Sequence, residues 1–148
     1  MLMKNQRANN RVLLVSNDFT VRESLGDILR SSGFEILFAE NGASAVKVLM
    51  ANAVSAIVLD YRTPFGAKDG VGRRSRTLEA LTDIDPFLPL VLTREPEVEL
   101  DHATSLMADM VLTHPIAPLA LIEAMETLLM ETLQERVYRK SGDFALVR

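Results

Sequence analysis

Five short apolar runs, each separated from the next by an amphipathic stretch, constrain this chain more than any other feature. They fall at residues 12–15, 36–38, 56–59, 88–92 and 110–112. The first, third and fourth are nearly continuous in Val, Leu and Ile, the pattern of strands buried on both faces. Between them the period lengthens. Val21, Leu25, Ile28 and Leu29 share one helical face, which Gly33 ends. Ala45, Val48 and Leu49 follow Asn41-Gly42 in the same way. Leu78, Leu81 and Ile84 predict a third helix, and Leu100, Ala103 and Met107 a fourth. Leu121, Ile122, Met125, Leu128, Leu129 and Leu133 predict a fifth, opened by Pro118.

Strand and helix thus alternate five times, which implies an α/β fold with helices on both faces of a parallel sheet. Right-handed crossovers leave few topologies. At 148 residues the flavodoxin-like, doubly wound order 2-1-3-4-5 fits best, as one domain. The predicted boundaries are a frayed polar segment over 1–10, a compact unit over 11–131, and a helical extension and tail over 132–148. The last helix is expected to continue past Glu131 through Gln134, Arg136 and Tyr138 and to end near Ser141-Gly142. This overhang would dock on a second copy or stand exposed. The remaining length leaves no room for a second domain.

Hydrophobic residues make up 48% and charged residues 24%, as in soluble globular proteins. A net charge of −4 argues against generic nucleic-acid or membrane-surface binding. The start, MLMKNQRANN, lacks the apolar core of a secretory signal, and no run approaches the roughly 20 residues that span a bilayer. The chain has no cysteine, so disulfides and thiolate metal sites are excluded. A cytoplasmic protein is expected.

In a doubly wound sheet the carboxyl ends of the strands form the binding crevice. Those ends carry Ser16, Asn17 and Asp18, then Asp60, then Thr93, then Thr113 and His114. Simpler roles compete at several of them. Asp18 suits a helix cap, Thr93 a β-branched strand end, and His114 a turn before Pro115. The segment RTPFGAKDGVGRRSR sets Arg62, Lys68, Arg73, Arg74 and Arg76 against Asp69 alone, a solvated loop first and an anion-attracting one second. Gly66, Gly70 and Gly72 lack the dinucleotide spacing. His102 is too far from His114 to suggest zinc. No nucleophile–base pair stands at workable spacing, so the chain is not read as an enzyme.

The order of these pieces resembles the receiver domain of bacterial response regulators over roughly residues 10–131. The matching parts are RVLLV with VRESLGDIL, FAENGASAVKVL, the strand ending at Asp60 with Pro64 and Asp69-Gly70, Thr93 closing PLVLT, and Pro115. The resemblance implies a phosphorelay role. Asp60 would hold the phosphoacceptor position, Thr93 that of the hydroxyl that bonds the phosphoryl group, and His114 that of the partner lysine. Ser16 and Asn17 hold the positions of the acidic pair that binds Mg²⁺, Val111 that of an aromatic switch residue, and Arg94 that of a small one.

These departures have physical consequences. Mg²⁺ prefers carboxylate oxygens beside phosphate, and phosphoryl transfer depends on charge neutralisation. With Ser16 and Asn17 in place, no metal is expected, Asp18 being at most a weak ligand. Arg62 and Arg94 flank Asp60 and Thr93, and a guanidinium could pair with Asp60 instead. The expected function is a stand-alone, atypical receiver acting through protein contacts, with a kinase or downstream effector as partner. Its last helices are a possible dimer seam. Two alternatives are a working phosphoacceptor that uses Mg²⁺, and a small-anion or nucleotide module built on Arg62, Arg94 and His114.

Overall fold

The computed structural model describes residues 10–66 and 74–147. The apolar runs become five strands: β1 (Arg11–Val15), β2 (Glu35–Ala39), β3 (Ala56–Asp60), β4 (Leu90–Arg94) and β5 (Met110–Thr113). Among the described residues six helices alternate with and follow them: α1 (Phe19–Ser31), α2 (Gly42–Ala51), α3 (Arg74–Ile84), α4 (His102–Met107), α5 (Pro118–Met130) and α6 (Leu133–Val147). The sheet is parallel throughout, in the order β2-β1-β3-β4-β5. This is the flavodoxin-like order expected from the sequence.

Alternation of side chains along buried strands explains why the runs read as continuous. Val12, Leu14, Val58 and Val91 pack against Leu25 and Leu29 of α1 and Leu121, Met125 and Leu128 of α5. Leu13, Val15, Ile57, Leu59 and Leu92 pack against Ala45 and Leu49 of α2 and Leu78 and Leu81 of α3 on the opposite face. Every second residue of β1 and β3 thus belongs to one of two cores.

Local chemistry fixes the joints. Asp18 caps α1 by accepting the Val21 N–H at 3.1 Å. The helix ends at Gly33, whose φ of 93° closes a Schellman-type turn: Gly33 N–H donates to Arg30 O and Phe34 N–H to Leu29 O. Asn41 and Ser44 form a reciprocal capping box at α2.

Ile84 ends α3 as expected, at 38% exposure. Two expectations need correction. Leu100 precedes α4 instead of belonging to it, because Asp101 caps the helix through the Thr104 N–H. The last helix does not run on past Glu131. Glu131 is extended (φ −65°, ψ 138°), and a new helix starts with a capping box in which Glu135 N–H donates to Thr132 Oγ1 and Thr132 N–H donates to Glu135 Oε1. That helix continues through Ser141-Gly142 to Val147. The expected frayed segment 1–10 lies outside the described residues except for Asn10, as do Lys68, Asp69, Gly70, Gly72 and Arg73 of the basic loop.

Candidate functional site

Asp60 ends β3 directly opposite Thr93 at the end of β4, and both are buried, Asp60 with only 2% exposure. Parallel register therefore brings together two residues 33 positions apart. Ser16, the first residue after β1, completes the floor, its N–H donating to Ala39 O.

Both oxygens of the Asp60 carboxylate face neutral donors. Ser16 Oγ donates to Oδ2 at 3.1 Å, and Thr93 Oγ1 donates to Oδ1 at 3.3 Å. Ser16 Oγ also accepts the Asp18 N–H at 3.1 Å, and Asp60 Oδ2 is the nearer of the two acceptors for its proton, Asp18 O lying at 3.5 Å. His114 Nε2 is buried 3.8 Å from Oδ1, beyond hydrogen-bond reach, with no hydrogen-bond partner. It is a counter-charge only when protonated. His114 is anchored by its N–H on Arg94 O and precedes a cis peptide to Pro115.

Burial pushes the Asp60 pKa up from the ordinary aspartate value, opposed first by the Ser16 hydrogen bond, then by the field of His114, the Thr93 hydrogen bond and the more distant Arg62. Burial wins because hydroxyl dipoles compensate a carboxylate less fully than a cation or water does.

The other expected residues are placed as follows. Asn17 is exposed. Asp18 caps α1 with one carboxylate oxygen, Oδ1, which accepts the Val21 N–H. Among the described residues, no group of three or more His, Asp or Glu side chains is placed to hold a metal ion. One carboxylate and two hydroxyls form a poor donor set for Mg²⁺, which gathers hard, preferably anionic oxygens. Arg94 does not reach Asp60. Neighbours along a strand point to opposite faces, and its Nη1 donates to Val98 O at 2.6 Å. There Arg94 lines a cavity of about 250 Å³ with Leu100, Ser105 and Val111. Arg62 is exposed and enters only through its field.

Arg22 escaped the reading of the sequence. From the first turns of α1 its Nη1 reaches back to Ser16 O at 3.1 Å and lies 3.9 Å from Glu40. A cation one turn into a helix that begins at the crevice was the available signal.

No family model matches the chain. PrrA of Mycobacterium tuberculosis, a transcriptional regulatory protein, is 36% identical over 122 residues, covering 80% of this chain and 49% of PrrA. PhoB of Pseudomonas aeruginosa, a phosphate regulon regulatory protein, is 27% identical over 121 residues, covering 82% of this chain and 52% of PhoB. The chain thus spans about half the length of these relatives. Among solved structures, the response regulator TrrA of Thermotoga maritima, in complex with Mg²⁺ and BeF, superposes with a TM-score of 0.69 at 22% identity, over 80% of this chain and 98% of TrrA. A receiver protein of Sinorhizobium medicae superposes with a TM-score of 0.67 at 24% identity, over 81% of this chain and 94% of that one. By these relatives and this fold, the chain is a response-regulator receiver domain of the two-component signalling type.

Proposed function

We propose that this domain is an atypical receiver, a cytoplasmic protein-interaction module that signals without Mg²⁺-dependent phosphorylation of Asp60. The observation that carries the reading is the closed neutral cradle around Asp60. Ser16 and Thr93 each donate to one carboxylate oxygen, and the nearest further acid in sequence, Asp18, caps its helix with one of its oxygens. A divalent cation entering there would have to displace Ser16 from Asp60 and would meet a single carboxylate. Metal affinity and phosphoryl neutralisation fall together. Output then depends on surface contacts, with a histidine kinase or a downstream effector as the class of partner.

A working phosphoacceptor is the second reading. The convergence of Asp60, Thr93 and His114 favours it, as does the Mg²⁺- and BeF-bound relative TrrA. Incubation with acetyl phosphate and Mg²⁺, read by intact mass beside an Asp60→Asn control, separates the two. The proposal expects an unmodified wild-type chain. A phosphoryl adduct on wild type that is absent from the control would establish the second reading. The anion-binding reading loses one of its three groups to the Arg94–Val98 contact.

A further inference from the structure

Helix α6 is built inside out. Among its described side chains, Leu133 and Tyr138 face solvent, at 65% and 74% exposure. Its cations face the body, the side chains of Arg136 and Lys140 being only 13% and 15% exposed. Lys140 and its neighbour Arg139 converge on Asp109, just before β5, whose carboxylate is 2% exposed. Arg139 Nη1 lies 2.8 Å from Asp109 Oδ1, and Lys140 Nζ lies 3.1 Å from Oδ2. Lys140 Nζ also donates to Pro86 O and Leu88 O, at 2.9 and 3.1 Å. Arg139 forks onto Glu131 at 2.6 and 2.9 Å, and Arg136 donates to Leu128 O and Glu131 O.

We infer that α6 is an ionic strap: it docks across the amino-terminal end of β4 and β5 by charge, and it releases as a unit about the Glu131–Thr132 bend. The bend supplies the hinge, since Glu131 is extended and Thr132 starts an independently capped helix. The latch supplies the specificity. Asp109 Oδ2 accepts the Leu90 N–H at 2.7 Å as well as Lys140, so the same carboxylate ties β4 to the strap. A helix held by its apolar face would be insensitive to salt. One held by ion pairs loosens with ionic strength only as far as those pairs are exposed, here mainly the Arg139–Glu131 fork at 38% and 20% exposure. Released, the strap would present Arg136, Arg139 and Lys140 beside the already exposed Leu133 and Tyr138, a basic amphipathic surface absent from the docked state. The inference does not depend on whether Asp60 is phosphorylated.

Hydrogen exchange on the full chain, followed by mass spectrometry, tests it with wild type, Asp109→Asn, Lys140→Gln and Tyr138→Gln. The expected result is exchange in residues 133–141 faster by about 10-fold or more in the two latch variants, with β1 and β3 at wild-type protection. Added salt should move wild type in the same direction but by less, and Tyr138→Gln should match wild type. Unchanged protection of 133–141 in the latch variants would overturn the inference. So would acceleration that spreads equally into β1 and β3, or release by Tyr138→Gln. If Asp109→Asn does not fold, the more exposed change Lys140→Gln decides.

Discussion

At the scale of single residues, the chemistry turns on one buried carboxylate whose partners are hydroxyls. The folded state raises the Asp60 pKa above its unfolded value through burial, so between those two values the folded chain binds the extra proton. Unfolding free energy then falls as pH rises through that window, and the ionised carboxylate is a stability cost at neutral pH. Asp60→Asn, which keeps the shape and removes the charge, should therefore raise Tm at neutral pH. The gain should vanish in acid, below both pKa values. Parallel melts across pH check this; an Asn variant less stable than wild type at neutral pH would mean that the carboxylate is better compensated than two hydroxyls allow. Gly42 makes a second point. A Cβ there would lie 2.5 Å from Thr77 Oγ1 and 2.9 Å from Phe65 Cα, where the loop after Asp60 packs on α2. Gly42 N–H and Ala43 N–H donate to Pro64 O and Phe65 O across the same contact. Gly42→Ala should cost about 1–3 kcal/mol by overpacking, measured by urea denaturation. A neutral effect would show that this loop yields.

At the scale of elements, the strands were legible because burial on both faces writes itself as unbroken Val, Leu and Ile, and α1 because Asp18 and Gly33 mark its two ends. The same legibility put Asp60, Thr93 and His114 at one crevice, since parallel strands expose their carboxyl ends together. Directions within the crevice were not legible. Arg94 turns to Val98 because it neighbours an inward-facing Thr93, and Arg22 enters from a helix face that the strand-end reading did not sample. The break between α5 and α6 was available in Thr132 and Glu135, a capping-box spacing overshadowed by the apolar period that runs on to Leu133. Thr132→Ala removes the acceptor for the Glu135 N–H and should cost about 1 kcal/mol of helix stability. That loss should appear as faster amide exchange confined to α6. Exchange unchanged in α6 would show that the cap is dispensable once the helix is docked.

At the scale of the molecule, two ends of the sheet are specialised in opposite ways. At the carboxyl end a lone acid is held among neutral donors, and at the amino end a second buried acid, Asp109, is clamped by two cations from α6. Among the described residues, no helix is long and apolar enough to cross a membrane. The difference between the two ends explains why the same residue type supports opposite expectations: Asp109 is compensated by charge, while Asp60 is left with dipoles and a neighbouring imidazole. On the proposed reading, a receiver with one carboxylate and two hydroxyls at this end retains Mg²⁺ only weakly. Calorimetric titration of the full chain with Mg²⁺ at neutral pH tests that most directly. The account predicts no saturable binding below the millimolar range, with Asp60→Asn giving the same flat trace. A micromolar site that disappears in Asp60→Asn would contradict it.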